Sequence, residues 1–284
     1  MRVSPARLPR TAVCQDADVR LSSLGREAGF WIRDHLRWAP APRARAPRPL
    51  ERDLHHLDVE ARARAQALLD RYPTIADWSR LLNPVEVQED LYLLEALSLM
   101  VPAALTGPAG ARSALDVGSK NGIHLPALHA LCPCPWTLVE LDAHRRYGNL
   151  VTRRSRGEFI AASAPHVHDG CRYLAGSVLD LRPDAGRFDV ITWTLPFVYP
   201  QPLIAWGLPD RHFQPVALLD RVLSLLTPRG ALIITNQGEG ERDEQRRLLS
   251  DAGVHPTRVT PFGPLDSPLS CFRKTRWGVR VMGT

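Results

Sequence analysis

Apolar positions along the chain fall into two rhythms. Blocks of five or six residues, the length of a buried strand, recur at 113–118, 136–141, 171–175, 188–193 and 231–235. Between them apolar residues return every three to four positions, the spacing of one helix face. That pattern predicts helices running to residue 131, over 143–162, over 214–227 ahead of Pro228-Arg229-Gly230, and over 240–252. Two late strands fit 255–260 and 271–282. Strands alternating with helices predict an α/β fold, with a Rossmann-like, mostly parallel seven-stranded sheet and helices on both faces.

An N-terminal helical extension precedes this pattern. Residues 17–37 read as an amphipathic helix carrying Leu21, Leu24, Phe30, Trp31, Ile32 and Leu36. Residues 38–50 hold four prolines and read as an extended linker. Helical spacing returns at 56–71 and at 86–101, where Val87, Leu91, Leu94, Ala96, Leu97 and Met100 form a stripe. Glu86, Glu89 and Asp90 near its start suit the helix dipole. The predicted organisation is a basic extension and linker at 1–50, a helical cap region at 51–111 and a ligand-binding domain at 112–284.

Charge sharpens the picture only when divided. The net charge is +6, and residues 1–50 hold ten arginines against four acids, so the whole excess lies there. That segment either contacts phosphate, which would make nucleic acid a partner, or is a solvated extension. With two lysines among 36 basic residues the chain favours arginine everywhere, and the second reading is preferred. No apolar run approaches the ~20 residues of a membrane span, and the N-terminus has no secretory apolar core. Five scattered cysteines argue for a reducing compartment, the cytoplasm. Cys132-Pro133-Cys134 has no second ligand pair and reads as a helix-to-strand turn, so no metal is expected.

The chemistry concentrates at 114–122. Asp116 closes a buried strand, and Gly118-Ser119-Lys120-Asn121-Gly122 opens into a helical pattern. Such a junction is where open α/β sheets bind nucleotide-like ligands. Gly118 and Gly122 allow backbone shapes and approaches that a Cβ would block. The stretch resembles the first motif of class I S-adenosylmethionine (SAM) methyltransferases, an acid followed by Gly-x-Gly-x-Gly, with Lys120 at the middle glycine. Val139-Glu140-Leu141-Asp142 resembles the second motif, with Glu140 24 residues after Asp116. Together with Trp193-x-Leu-Pro-Phe197, Trp206-Gly-Leu-Pro209 and Asn236-Gln-Gly-Glu239, these strings look like a bacterial branch of that superfamily over residues 113–284. The resemblance implies SAM as cofactor, methyl transfer, a helical cap over the substrate side and an antiparallel closing hairpin. Gly263-Pro264 and Ser267-Pro268 would separate the hairpin's two strands.

Residue roles follow from what SAM offers. A carboxylate ending the second strand accepts from ribose hydroxyls, which points to Glu140; Asp142 is its neighbour or the cap of the next helix. The resemblance assigns Asp116 to the amino-acid end of SAM, with loop capping as the alternative. Lys120 either attracts the SAM carboxylate or points outward. Ser177 stands where the family reads adenine with an acid, and Asp180 is the other candidate. Trp193 completes the cofactor set. Thr194-Leu195-Pro196-Phe197 occupy the loop that the resemblance places beside the transferred methyl. They share only the Pro-aromatic pair with the branch that methylates amino groups. Thr194 is a catalytic candidate, and Pro196, Phe197 and Trp206 are substrate candidates in a long aromatic, proline-rich segment. That segment is either a substrate wall or local packing. Asn236 and Gln237 offer paired donors and acceptors to a substrate. Glu239 and His212, with His124 and Glu241 behind them, are candidate bases; Glu239 and Glu241 equally suit a helix N-terminus. Three readings stand: a small-molecule methyltransferase, a nucleic-acid methyltransferase using the arginine-rich segment, and a SAM-binding protein without catalysis. The sequence assigns neither the methyl acceptor nor the oligomeric state.

Overall fold

The computed structural model describes residues 11–46, 48–55, 57–147, 150–163, 170–182, 186–262 and 275–283, with side chains from Ser22 onward. Helices α1 (Thr11–His35), α2 (Val59–Arg71) and α3 (Pro84–Ser98) precede β1 (Ala114–Val117). There follow α4 (Leu125–Leu131), β2 (Trp136–Glu140), α5 (Arg153–Ala162), β3 (Arg172–Ala175) and β4 (Phe188–Thr194). The chain continues through α6 (Pro200–Ala205), α7 (Pro215–Ser224), β5 (Leu226–Gln237), α8 (Gly238–Asp251), β6 (Arg258–Pro261) and β7 (Arg276–Met282).

The seven strands form one sheet in the order β3-β2-β1-β4-β5-β7-β6. The first five positions are parallel, and β7 runs antiparallel to both β5 and β6. This is the expected Rossmann-like α/β sheet. Successive strand residues serve opposite faces. Ala114, Val190, Ala231 and Ile233 join Leu94, Leu97, Leu128 and Ile160 in one core. Leu115, Ile191, Leu232, Ile234 and Val279 join Leu219, Val222, Leu248 and Leu249 in the other. Helices α3, α4 and α5 thus cover one face, and α7 and α8 the other.

Local chemistry explains where the elements begin. Asn83 accepts from the Glu86 N–H while Glu86 accepts from the Asn83 N–H, a capping box with Pro84 at the first helical position of α3. Thr152 and Ser155 start α5 in the same way. That restart corrects the expected helix over 143–162: residues 141–147 form a turn and an isolated bridge instead. The Ala143 and Arg145 carbonyls accept from the Arg154 and Arg153 N–H groups, so the chain doubles back before the helix. A second correction concerns Pro228, which lies within β5 and not beyond a helix end. The register against β4 shifts between Phe188 and Val190, and Thr227–Gly230 fill that bulge, where a proline costs no ladder bond. The closing hairpin is present as β6 and β7, while Gly263-Pro264 and Ser267-Pro268 lie outside the described residues.

Two compact units divide the chain. The larger comprises the sheet, its helices and residues 38–111, whose Leu50, Leu54, Trp78, Leu94 and Met100 enter the sheet core. The smaller joins α1 and its tail to Tyr199–Phe213. The latter segment is ordered by α6 and a 3-10 turn at Asp210–His212, where a long loop was expected. Within this unit Asp210 accepts from Arg26 at 2.7 Å through both oxygens and from Ser23 at 3.0 Å. Arg33 donates to the Gly207 carbonyl, Arg211 pairs with Glu27, and the Phe30 ring lies 5.0 Å from His212.

Candidate functional site

In the strand order, β1 is the point of reversal: the chain moves from β1 to β2 and β3 on one side, then to β4 and β5 on the other. Ligands of open α/β sheets bind in the crevice outside the carboxyl ends of the strands at such a point. The loop after β1 and the loop after β4 flank it. Both carry unusual backbone. Gly118 and Gly122 have φ of 78° and 75°, and Lys120 between them has φ of 50°. Lys120 therefore holds a left-handed backbone shape, which a β-carbon disfavours. Leu195, directly after β4 and ahead of Pro196, has φ of 52°. It is held there by its N–H donating to the Thr235 carbonyl at 2.9 Å. Strain of this kind persists only where surrounding structure enforces it.

The β1 loop is tied down from beneath. The Gly118 and Ser119 N–H groups donate to the Val139 carbonyl at 2.9 and 3.1 Å, and the Lys120 N–H donates to Glu140 Oε2 at 2.8 Å. The Tyr173 hydroxyl donates to the Lys120 carbonyl. Gly122 packs so closely on α5 that an added Cβ would lie 3.2 Å from the Gly157 Cα. Asp116 is buried and accepts from the Thr192 hydroxyl at 2.7 Å. Burial raises its carboxyl above the usual range, against the pull of His124 and Thr192.

Glu140 ends β2 as expected, buried and heavily engaged. Its Oε1 accepts from the Asp142 N–H at 2.9 Å and from Arg153 at 2.8 Å. Burial raises its carboxyl, and Arg153 and the two amides oppose that rise. Three donors fill three of roughly four acceptor positions on a carboxylate, which leaves one unfilled. Asp142 is buried and held by Arg145. Ser177 and Asp180 cap a 3-10 turn after β3: Ser177 Oγ accepts from the Leu179 N–H, and Asp180 accepts from the Ser177 N–H.

The remaining predicted residues separate into three places. Trp193, Thr194, Pro196 and Phe197 follow one another at the carboxyl end of β4. Asn236 and Gln237 end β5. Asn236 shares the strand face of Leu232 and Ile234, and both its polar atoms are buried without a hydrogen-bond partner. Ser119 is buried with its hydroxyl on the Asp116 carbonyl, and the Asn121 Oδ1 is buried without a partner. Glu239 begins α8 with a largely exposed side chain, and Glu241 accepts from the Gln237 N–H at the same helix start. Trp206 and His212 belong to the smaller unit.

Sequence reasoning passed over four buried groups at this end of the sheet. Glu89 on α3 lies 3.1 Å from Arg276 at the start of β7 and 3.7 Å from His124. Asp90 is wholly buried with no donor on either oxygen, and burial beside Glu89 and Glu86 raises its carboxyl well above the usual range. Arg153 holds Glu140. The available signal was the Glu89-Asp90 pair inside an apolar stripe, which the helix dipole had seemed to explain.

Among the described residues no group of three or more His, Cys, Asp or Glu is arranged to hold a metal, and no helix is long and apolar enough to cross a membrane. Cys132 and Cys134 are buried thiols in the turn between α4 and β2, and burial raises both.

No family model matches the sequence, and no curated protein matches it. Solved structures do. A SAM-dependent methyltransferase from Leishmania major, of the DUF858 family, is 15% identical over 77% of this chain and 82% of its own, with a TM-score of 0.48. The N-methyltransferase NodS from Bradyrhizobium japonicum, in complex with S-adenosyl-l-homocysteine, is 17% identical over 78% and 98%, at 0.46. The mitomycin 7-O-methyltransferase MmcR is 14% identical over 79% and 68%, at 0.45. The fold assignment rests on the strand order and pairing of this chain, not on these distant likenesses.

Proposed function

We propose that this chain is a SAM-dependent methyltransferase acting on a small-molecule acceptor. The observation that carries the reading is the β1–β4 crevice. A glycine-type loop opens on one side of it, the strained Thr194-Leu195-Pro196-Phe197 turn stands on the other, and the sheet closes with the antiparallel pair the resemblance implies. When bound, SAM supplies an electrophilic methyl on a sulfonium, and transfer asks of the protein mainly alignment and exclusion of water.

The residues fit that cofactor with one change from the simple expectation. Gly118–Gly122 would cradle it, and Asp116 would face its amino-acid end. Glu140 has one acceptor position left, so it would hold the ribose by one hydroxyl while Arg153 orients the carboxylate and opposes the rise that burial imposes on it. Ser177 retains a hydroxyl proton to offer adenine, and Asp180 stands beside it. Thr194 and the backbone of Leu195–Pro196 would align the acceptor atom, with Phe197 walling the acceptor side.

Three arginines of the N-terminal segment are engaged within the protein, which supports a small acceptor over nucleic acid, while Arg37, Arg43 and Arg45 are exposed. Arg26 is bound to Asp210, Arg33 reaches Gly207, and Arg48 is enclosed by Asp53, Ser79 and Leu82. Charges held inside the protein are not offered to phosphate. Titration calorimetry with SAM and S-adenosylhomocysteine tests the cofactor, and absence of heat with both defeats the reading. Transfer of labelled methyl from SAM into fractionated cell extract tests the acceptor. Label in the small-molecule fraction is expected, and label confined to RNA or DNA would overturn that part.

A further inference from the structure

Helix α3 brings acids to the carboxyl edge of the sheet, and they have different fates. Glu86 is consumed by the capping box and by Arg156 at 3.1 Å. Glu89 is 1% exposed, with Oε1 3.1 Å from Arg276 and 3.7 Å from His124 Nε2. The Arg276 guanidinium also lies over the Tyr92 ring, 4.8 Å from its centre. His124 is 2% exposed, and neither ring nitrogen has a hydrogen-bond partner. It follows Gly122 by two residues, so this group is continuous with the crevice loop.

A purely structural role explains this grouping poorly. Burying an ion pair costs desolvation that well-packed apolar side chains would avoid, and a buried imidazole with both nitrogens unmatched adds to that cost. A carboxylate, a guanidinium and an imidazole with open nitrogens are the complement of a zwitterion: the carboxylate takes an ammonium, and the other two take a carboxylate.

We infer that Glu89, Arg276 and His124 form the subsite for the α-amino-acid end of the cofactor, Glu89 receiving its ammonium and His124 with Arg276 its carboxylate. This rests on the SAM reading above. It makes α3 and β7, which lie outside every sequence motif, part of the cofactor site.

The test compares S-adenosylhomocysteine with 5′-methylthioadenosine, which keeps the nucleoside and sulfur but lacks the amino-acid end. Calorimetry on the full chain should show the first binding at least about tenfold tighter. Glu89→Gln should weaken S-adenosylhomocysteine roughly ten- to hundredfold and leave methylthioadenosine within about twofold. Retained methylthioadenosine binding reports an intact site. Should Glu89→Gln fail to fold, with Arg276 left uncompensated, His124→Asn preserves the ion pair and should give the same split. Equal weakening of both ligands, or no weakening of either, overturns the subsite. A wild-type chain that binds neither ligand defeats the cofactor reading itself.

Discussion

Arg153 donates to Glu140 Oε1 at 2.8 Å, with both side chains buried at the end of β2. The pair joins the start of α5 to the carboxylate that also secures the Lys120 amide, so the crevice loop depends on it. Removing one member leaves an uncompensated buried charge. Arg153→Met should destabilise the chain by about 3–5 kcal/mol. Adding Glu140→Gln should recover most of that loss. Urea denaturation of the single and double variants reads the coupling, and a loss below about 1 kcal/mol for Arg153→Met would contradict it.

Lys120 and Gly157 test the loop from its two sides. Lys120→Gly relieves a left-handed residue and should raise stability by about 0.5–1 kcal/mol, net of the glycine's extra unfolded-state freedom. Gly157→Ala acts in the opposite sense. Its Cβ would fall on the Tyr173 ring, which the Lys120 carbonyl holds in place. A loss of about 1–3 kcal/mol is expected from that overpacking. Thermal unfolding of both variants decides the matter, and a stabilising Gly157→Ala would refute this packing.

Asp90 predicts a pH dependence. Its folded-state carboxyl is raised above the ordinary 3.8, first by burial and then by Glu89 and Glu86. Between 3.8 and the raised value the folded chain holds a proton the unfolded chain has lost. Stability contributed by Asp90 is therefore full below about pH 4 and falls as pH rises, by about 1.4 kcal/mol per pH unit across that window. Asp90→Asn should lack this slope and gain on the wild type as pH rises from about 4. Denaturation midpoints of both proteins over that range provide the measurement, and a gap independent of pH would rule the explanation out.

Asp210 gathers Arg26 and Ser23 within the smaller unit, and the Arg26 contact holds its carboxyl below the usual range. This acid contributes above the unfolded carboxylate pKa, and its contribution is lost as pH falls through the lowered folded value. Asp210→Ala should speed amide hydrogen exchange in Tyr199–Phe213 and in α1 together, because each is ordered by the other. The energetic effect should be modest, about 1 kcal/mol or less, since Asp210 is half exposed. Faster exchange in only one of the two segments would count against the mutual contact.

Periodicity and local chemistry determined much of this protein in advance. Alternating strand and helix blocks gave the α/β class because each rhythm records which face a segment buries. The glycine loop and Glu140 were legible because tight turns and strand-end acids act over a few residues. Tertiary structure decided the rest. The strand order placed the crevice between β1 and β4. Glu89 met Arg276 across 187 residues, and Arg26 met Asp210 across 184. Residues 143–147 turned back where helical spacing continued, because carbonyls at 143 and 145 were claimed by the next helix. Such pairings depend on which elements pack side by side, and no periodicity within one segment encodes its distant partner. The acids on α3 show the difference: in sequence they suit a helix dipole, and in space Glu89 and Asp90 are buried, Glu89 against Arg276.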